Sequence, residues 1–110
     1  MNETNLLILA ALASQPSHGY DVGKSLSKLS QGQLRLSVGT LHGAIQRLAA
    51  QGLIEPDRQE TVNGRLRRYF RLTEHGAETL ANDVERLRQR LETWRGSAER
   101  TSEPQNRGSH

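Results

Sequence analysis

Asn63-Gly64 constrains this chain more than any other pair of residues. Both residue types tolerate positive φ, which a two-residue hairpin turn demands at its central positions. On either side lies a short extended run, about 53–60 and 65–72, and the second contains Leu66, Arg67, Arg68, Tyr69, Phe70, Arg71 and Leu72. A β-hairpin is therefore expected past the middle of the chain. Three helical segments precede it and one long helix follows. Three helices and then a hairpin is the order of a winged helix-turn-helix. The expected class is mainly α with a β-hairpin (α+β), with a winged helix-turn-helix domain over 1–72 and a C-terminal dimerisation helix over 73–95.

Spacing and punctuation define the first three helices. Residues 4–14 are apolar on nearly every side (Leu6 to Leu12). Such a helix must be covered on nearly every side, which suits a place between the domain's own core and a partner chain. Pro16 ends it, because the residue before proline disfavours helical backbone. The second helix is expected from a Ser17 cap to about Ser30, burying Tyr20, Val22, Leu26 and Leu29, with Gln31-Gly32 as the stop. In the third, Ser37 is the cap and Gly52 the left-handed stop. Val38, Leu41, Ile45 and Leu48 recur there at spacings of three, four and three, on one face. The opposite face carries Gly39, Thr40, His42, Gly43, Gln46, Arg47 and Ala50. It is small and polar, with one long cation and no carboxylate. A solvent face usually mixes acids with bases, whereas this one suits close approach to phosphates and base edges.

Thr73 is the expected cap of the last helix, with Leu72 placed as a hydrophobic staple. Along this helix Ala77, Leu80, Val84, Leu87, Leu91 and Trp94 form a heptad seam between Glu, Arg, Gln and Asp. So narrow an apolar stripe predicts helix-on-helix contact between two chains. From Gly96 the chain turns charged and contains a proline, and 96–110 is expected to be a disordered tail. Its last four residues, Arg107-Gly108-Ser109-His110, resemble the start of a purification tag.

With 110 residues, 34% of them hydrophobic and 4% aromatic, the chain can build one modest core and no deep pocket beside it. It has no cysteine, so disulfides and thiolate metal sites are excluded, and a second subunit is the remaining source of support. His18, His42 and His75 lack metal-ligand spacing. Nothing in the sequence matches a Ser/His/Asp arrangement, a phosphate loop or paired acids in an apolar setting. The expectation is a protein that is not an enzyme, with no cofactor and no metal. No run reaches the roughly 18 apolar residues of a membrane helix. The run 6–13 is short, preceded by Glu3 and no Lys or Arg, and is not read as a signal peptide, so a cytoplasmic location is expected. The formal charge of +3 matters less than its distribution, because residues 22–73 hold nine Lys and Arg against three Asp and Glu. A basic body of this kind attracts polyanions, and nucleic acid is the commonest partner for a domain this size.

Four stretches carry a family resemblance. They are Ile8-Leu9-Ala10-Ala11-Leu12, His18-Gly19-Tyr20-Asp21-Val22, Leu36 to Leu41 with Leu48 and Gly52-Leu53-Ile54-Glu55, and Arg67 to Gly76. Together they resemble small members of the PadR family of bacterial transcriptional regulators, over roughly residues 6–76. The resemblance implies a homodimer held by the terminal and first helices, and a repressor released by a small molecule or signal. One position departs from the family. Where it usually has a DNA-facing tyrosine after Gly-Thr-Leu, this chain has His42, which can still donate to a phosphate or a base acceptor.

The expected partner is double-stranded DNA with an inverted-repeat operator. Its contacts are assigned to Ser37, Gly39, Thr40, His42, Gly43, Gln46 and Arg47 on the third helix, Tyr20 and Lys24 on the second, and Arg65, Arg67 and Arg68 on the hairpin. Four arginines within seven residues, with no acid inside the run, favour phosphate or minor-groove contact over a merely solvated strand. Gln can read adenine and Arg guanine in the major groove. The two glycines serve either tight helix packing or close approach to DNA. Dimerisation is assigned to Leu80, Val84, Leu87, Leu91, Trp94 and Leu7. Trp94 is either a packing residue of that seam or an aromatic plate for a planar or cationic hydrophobic effector, as a terminal-helix tryptophan is in some relatives. In the second case Leu6, Leu9 and Asn5 of the partner's first helix are expected to line the same cleft. The competing class is a winged-helix adaptor for a protein partner, which the lack of a large apolar face on the third helix disfavours.

Overall fold

The computed structural model describes the backbone of residues 1–108 and the side chains of residues 1–98. Its elements run α1 (Glu3–Ser14), β1 (Ser17–His18), α2 (Gly19–Leu29), α3 (Val38–Ala50), β2 (Ile54–Val62), β3 (Arg65–Leu72) and α4 (Glu74–Gly108). The three strands form one antiparallel sheet in the order β1-β3-β2. The chain divides into two compact units, Met1–Leu80 and a second beginning at Ala81.

The core of the first unit joins Ile8, Leu9 and Leu12 of α1, Val22 and Leu26 of α2, Leu41, Ala44, Ile45 and Leu48 of α3, and Leu53 and Ile54 at the hairpin base. Phe70, Leu72 and Leu80 pack against it. The apolar character of α1 is thus used on one side within the chain, while Leu6, Leu7 and Ala10 are half-buried. Pro16 holds Gln15 extended, with φ −169° and ψ 156°. That extension brings Ser17 and His18 beside Phe70 and Tyr69 as β1, a strand too short to leave a periodic signal. Ser17 is therefore a strand residue and not the cap of α2. Its hydroxyl donates back to the Gln15 carbonyl at 3.3 Å, and His18 occupies the cap position without a capping bond from its side chain.

Two spacing-based burial assignments are corrected. On α2 only Val22 and Leu26 enter the core, whereas Tyr20 is 72% exposed and Leu29 is also exposed. On α3, Val38 is 86% exposed. It occupies the first helical position, and Leu36, just before the cap, packs against the core instead. With Leu41 buried one turn on, Leu36 holds the position of a hydrophobic staple.

The hairpin turn is as the dipeptide dictates, with φ 53° at Asn63 and 78° at Gly64. Pairing runs from Ile54↔Leu72 to Val62↔Arg65, with a shift between Pro56 and Gln59 that adds one residue to β2. This β-bulge reverses which side chains of β2 face which way, so that Glu60 joins Glu55 on one face. The hairpin base is tied down from two sides. The Leu53 N–H donates to the Leu48 carbonyl at 3.0 Å, and the Thr73 N–H donates to the Leu53 carbonyl at 3.1 Å. The Thr73 hydroxyl donates to the Gly52 carbonyl at 2.6 Å and accepts from the Gly76 N–H at 2.9 Å, capping α4. A β-carbon at Gly76 would overlap the Leu53 carbonyl, so this close approach requires glycine.

The backbone of α4 is helical through Gly108, past the end expected near residue 95 and through most of the stretch expected to be a disordered tail. An apolar stripe is not needed for a helix to continue once nucleated, because each further residue adds a hydrogen bond. Ser109 and His110 of the tag-like tetrapeptide lie outside the described residues.

Candidate nucleic-acid interface

Helix α3 presents its N-terminal half outward. Ser37, Gly39, Thr40, His42, Gln46 and Arg47 are exposed and Gly43 is half-buried. The Ser37 side chain accepts from the Thr40 N–H at 3.2 Å, satisfying one free amide of the first turn, and its hydroxyl donates to Thr40 Oγ1 at 2.9 Å. The Thr40 hydroxyl keeps its own proton for another acceptor. A β-carbon at Gly39 would meet nothing within 4 Å, and one at Gly43 only the Arg47 guanidinium at 3.4 Å. Tight packing within the chain therefore does not account for either glycine. It does account for Gly23, where a β-carbon would lie 3.3 Å from Leu41 of α3.

Helical geometry sorts this face into a low floor and two rims. Gly39, Gly43 and Ala50 form the floor, Thr40 and Arg47 one rim, and Val38, His42 and Gln46, each four residues apart, the other. On the second rim Gln46 Nε2 lies 3.1 Å from His42 Nε2. Val38 joins the exposed set because the cap and staple place it outside the core. Spacing alone conceals that.

The hairpin divides its arginines into two groups. At the base, the Arg71 guanidinium donates to Asp57 at 3.1 Å and Glu55 at 3.5 Å. The Asp57 hydrogen bond and the Glu55 charge hold its pKa above the ordinary arginine value. Arg58 donates to Asp57 and Glu60 and lies 3.9 Å over the Tyr69 ring. Tyr69 donates its hydroxyl proton to Glu60 at 3.1 Å. Toward the turn, Arg65, Arg67 and Arg68 make no ion pair or side-chain hydrogen bond with any described residue. Arg65 and Arg67 share a strand face and Arg68 takes the other, as the register shows. The run of four arginines is thus not uncompensated as a whole. The neighbouring strand supplies acids to Arg71 but leaves the three nearer the turn unpaired.

On α2, exposed Tyr20 carries Lys24 over its ring at 5.5 Å from the centroid. Buried His18 connects this helix to the hairpin. Its Nε2 is 3.0 Å from Asp21 Oδ2, and its ring meets Tyr69 edge-on at 5.0 Å. Neither His18 nor Arg58 is singled out by spacing, since both roles arise from pairing between β1 and β3 and from the bulge.

The second unit is a helix with one apolar stripe and ion-paired flanks. Val84, Leu87, Leu91 and Trp94 are 46–68% exposed in the single chain. Leu80, expected on the same seam, packs half-buried against the core of its own unit. Arg88 bridges Glu85 at 2.7 Å and Glu92 at 2.6 Å, and its hydrogen bonds hold the Glu85 carboxyl below the usual range. Arg86 pairs with Asp83. A shallow depression is lined by Arg86, Gln89, Arg90, Thr93 and Trp94. Of the residues expected to complete an effector cleft, Leu9 is fully buried in the core and has no surface to offer. Leu6 and Asn5 are half-buried, as is Leu7, which packs against the core.

Comparison with known proteins decides the family. The model of the transcriptional regulator PadR-like family matches residues 8–82. The chain belongs to the PadR-like family. This is a family of transcription regulators and not of enzymes. The chain is 32% identical to the transcriptional regulator YqjI of Escherichia coli over 77% of its own length. It spans 22% and 39% of the length of two curated relatives that it matches. A PadR family transcription regulator from Clostridium difficile shares the fold with a TM-score of 0.71, at 22% identity, covering 84% of this chain and 94% of that one. Bacillus subtilis PadR, solved in complex with operator DNA, has a TM-score of 0.67 at 17% identity, covering 76% of this chain and 47% of that one. Both likenesses establish the PadR winged-helix fold.

Proposed function

We propose that this PadR-like chain is a homodimeric, sequence-specific DNA-binding repressor. In this reading α3 enters the major groove, the hairpin grips the flanking backbone or minor groove, and Tyr20 and Lys24 hold a phosphate. The observation that carries it is the set of unpaired guanidiniums at Arg65, Arg67 and Arg68, on the same unit as a carboxylate-free, outward-facing α3. Bacillus subtilis PadR, a protein of the same fold, was solved with operator DNA, which supports the assignment. Dimerisation is proposed along Val84, Leu87, Leu91 and Trp94, whose half-exposed side chains cost least when a second copy covers them. Two such chains bring their α3 helices to successive major grooves, roughly 34–36 Å apart, on an inverted repeat.

Release by an effector is the finer part of the proposal. Trp94 is 68% exposed and lines a depression with Arg86 and Arg90. Arg86 is paired with Asp83, so the Arg90 guanidinium beside the ring is what favours a planar neutral or anionic ligand over a cationic one. Such a ligand releases DNA only if it binds the released dimer better than the DNA-bound one.

The test is fluorescence anisotropy of the protein on DNA from upstream of its own coding sequence, with random duplex as competitor. The expected result is binding tighter than to random sequence by about 10³ or more. Affinity equal to that for random duplex removes the operator-reading function and favours the protein adaptor.

A further inference from the structure

On the outer rim of α3, Gln46 Nε2 lies 3.1 Å from His42 Nε2. A side-chain amide nitrogen only donates, so this contact is a hydrogen bond in the tautomer whose Nε2 accepts and whose proton sits on Nδ1. We propose that His42 is a positioning residue for base recognition: by accepting one amide proton it fixes the orientation of Gln46 so that α3 reads adenine and rejects guanine. This rests on the DNA-reading role of α3 proposed above.

The reasoning is one of hydrogen-bond inventory. A glutamine amide has two protons on nitrogen and two lone pairs on oxygen. With one proton held by His42, the other and the carbonyl oxygen remain for a ligand. Adenine offers N7 as acceptor and the N6 amino group as donor in the major groove, so one amide proton and one carbonyl oxygen satisfy both. Guanine offers two acceptors, N7 and O6. The fixed amide can serve only one of these, and its carbonyl oxygen faces the other without a proton between them. A free amide can aim both of its N–H protons at the two guanine acceptors, so glutamine alone discriminates less. Both side chains are exposed on the helix surface, four residues apart, and neither has another hydrogen-bond partner among the described residues. The pair is thus held by the helix and not by the core.

The experiment measures binding to an operator series in which each position is varied in turn, for the full chain and for Gln46→Ala, His42→Leu and His42→Ala. Melting curves of the variants confirm folding, which these exposed positions should leave intact. Gln46→Ala is expected to abolish an adenine preference at one position per half-site and so locate the contact. His42→Leu and His42→Ala are expected to reduce adenine-over-guanine discrimination at that same position from about tenfold or more to threefold or less. Base preferences at the other operator positions should be unchanged, a pattern that a merely structural role for His42 would not produce. Replacing that adenine with 7-deazaadenine should cost the wild type the same factor and the Gln46→Ala variant nothing.

If Gln46→Ala erases the preference and both His42 variants keep it, the positioning role is overturned. If the wild type has sequence preferences but Gln46→Ala alters none, the His42–Gln46 assignment falls while operator reading stands. If the wild type prefers no sequence at all, the DNA-reading role of α3 falls first.

Discussion

The base and the turn end of one hairpin use the same residue type in opposite ways. At the base, Arg71 and Arg58 are held by Glu55, Asp57 and Glu60, while Ile54, Phe70 and Leu72 join the core on the other face. Nearer the turn, Arg65, Arg67 and Arg68 have no described partner, and Leu66 is exposed. The difference follows from the placement of acids on β2, which stop at Glu60, and from the bulge that turns Glu60 to the face of Tyr69 and Arg71. A neutralised guanidinium contributes little to attraction of a polyanion. An unpaired one releases counterions when it meets a phosphate. In the proposed function, the base holds the hairpin and the turn end is offered to DNA.

The largest expected effect lies at the base and concerns folding. Ile54→Ala should lower stability by about 2–5 kcal/mol, read by thermal or urea denaturation, because a fully enclosed side chain leaves a cavity. Replacing Arg65, Arg67 and Arg68 together with Ala should leave the melting temperature nearly unchanged. It should weaken DNA binding by about a hundredfold to a thousandfold near 0.1 M salt, and reduce the log–log salt slope by about one for each phosphate no longer neutralised. An unchanged slope would break the comparison.

A smaller effect in the other direction sharpens it. Asp57→Asn removes the acid shared by Arg58 and Arg71. Non-specific DNA binding should become tighter by a few-fold and more salt-dependent, measured by anisotropy on random duplex. The smallest effect is expected from Arg71→Ala, an exposed and already neutralised guanidinium. Its salt slope should match that of the wild type, and its melting temperature should shift little because surface ion pairs contribute little.

Much of this was legible in the chain. Asn63-Gly64 specified the turn, Ser37 and Thr73 the starts of two helices, Gly52 the end of one, and the absence of carboxylates on α3 its outward face. These are local signals, in which a residue's own backbone preference or hydrogen-bonding group is enough. The errors have a common origin in contacts between segments distant in sequence. Periodicity assigned Tyr20, Leu29 and Val38 to the core because it assumes that a stripe is buried along its whole length, whereas a helix end overhangs its neighbours. It placed Leu80 on a seam between chains without showing that Leu80 also packs half-buried against the core of its own unit.

By itself, then, the sequence determined the order of elements, the hairpin turn, the helix caps and the residue types on the α3 face, since each depends on a few adjacent side chains. Only the tertiary structure decided which arginines are neutralised, that Ser17 and His18 form a strand, and that Gly76 must lack a side chain beneath the Leu53 carbonyl. Those outcomes depend on strand register and on one inserted residue in β2. A shift of one residue would turn every side chain to the opposite face, and no local preference records that choice.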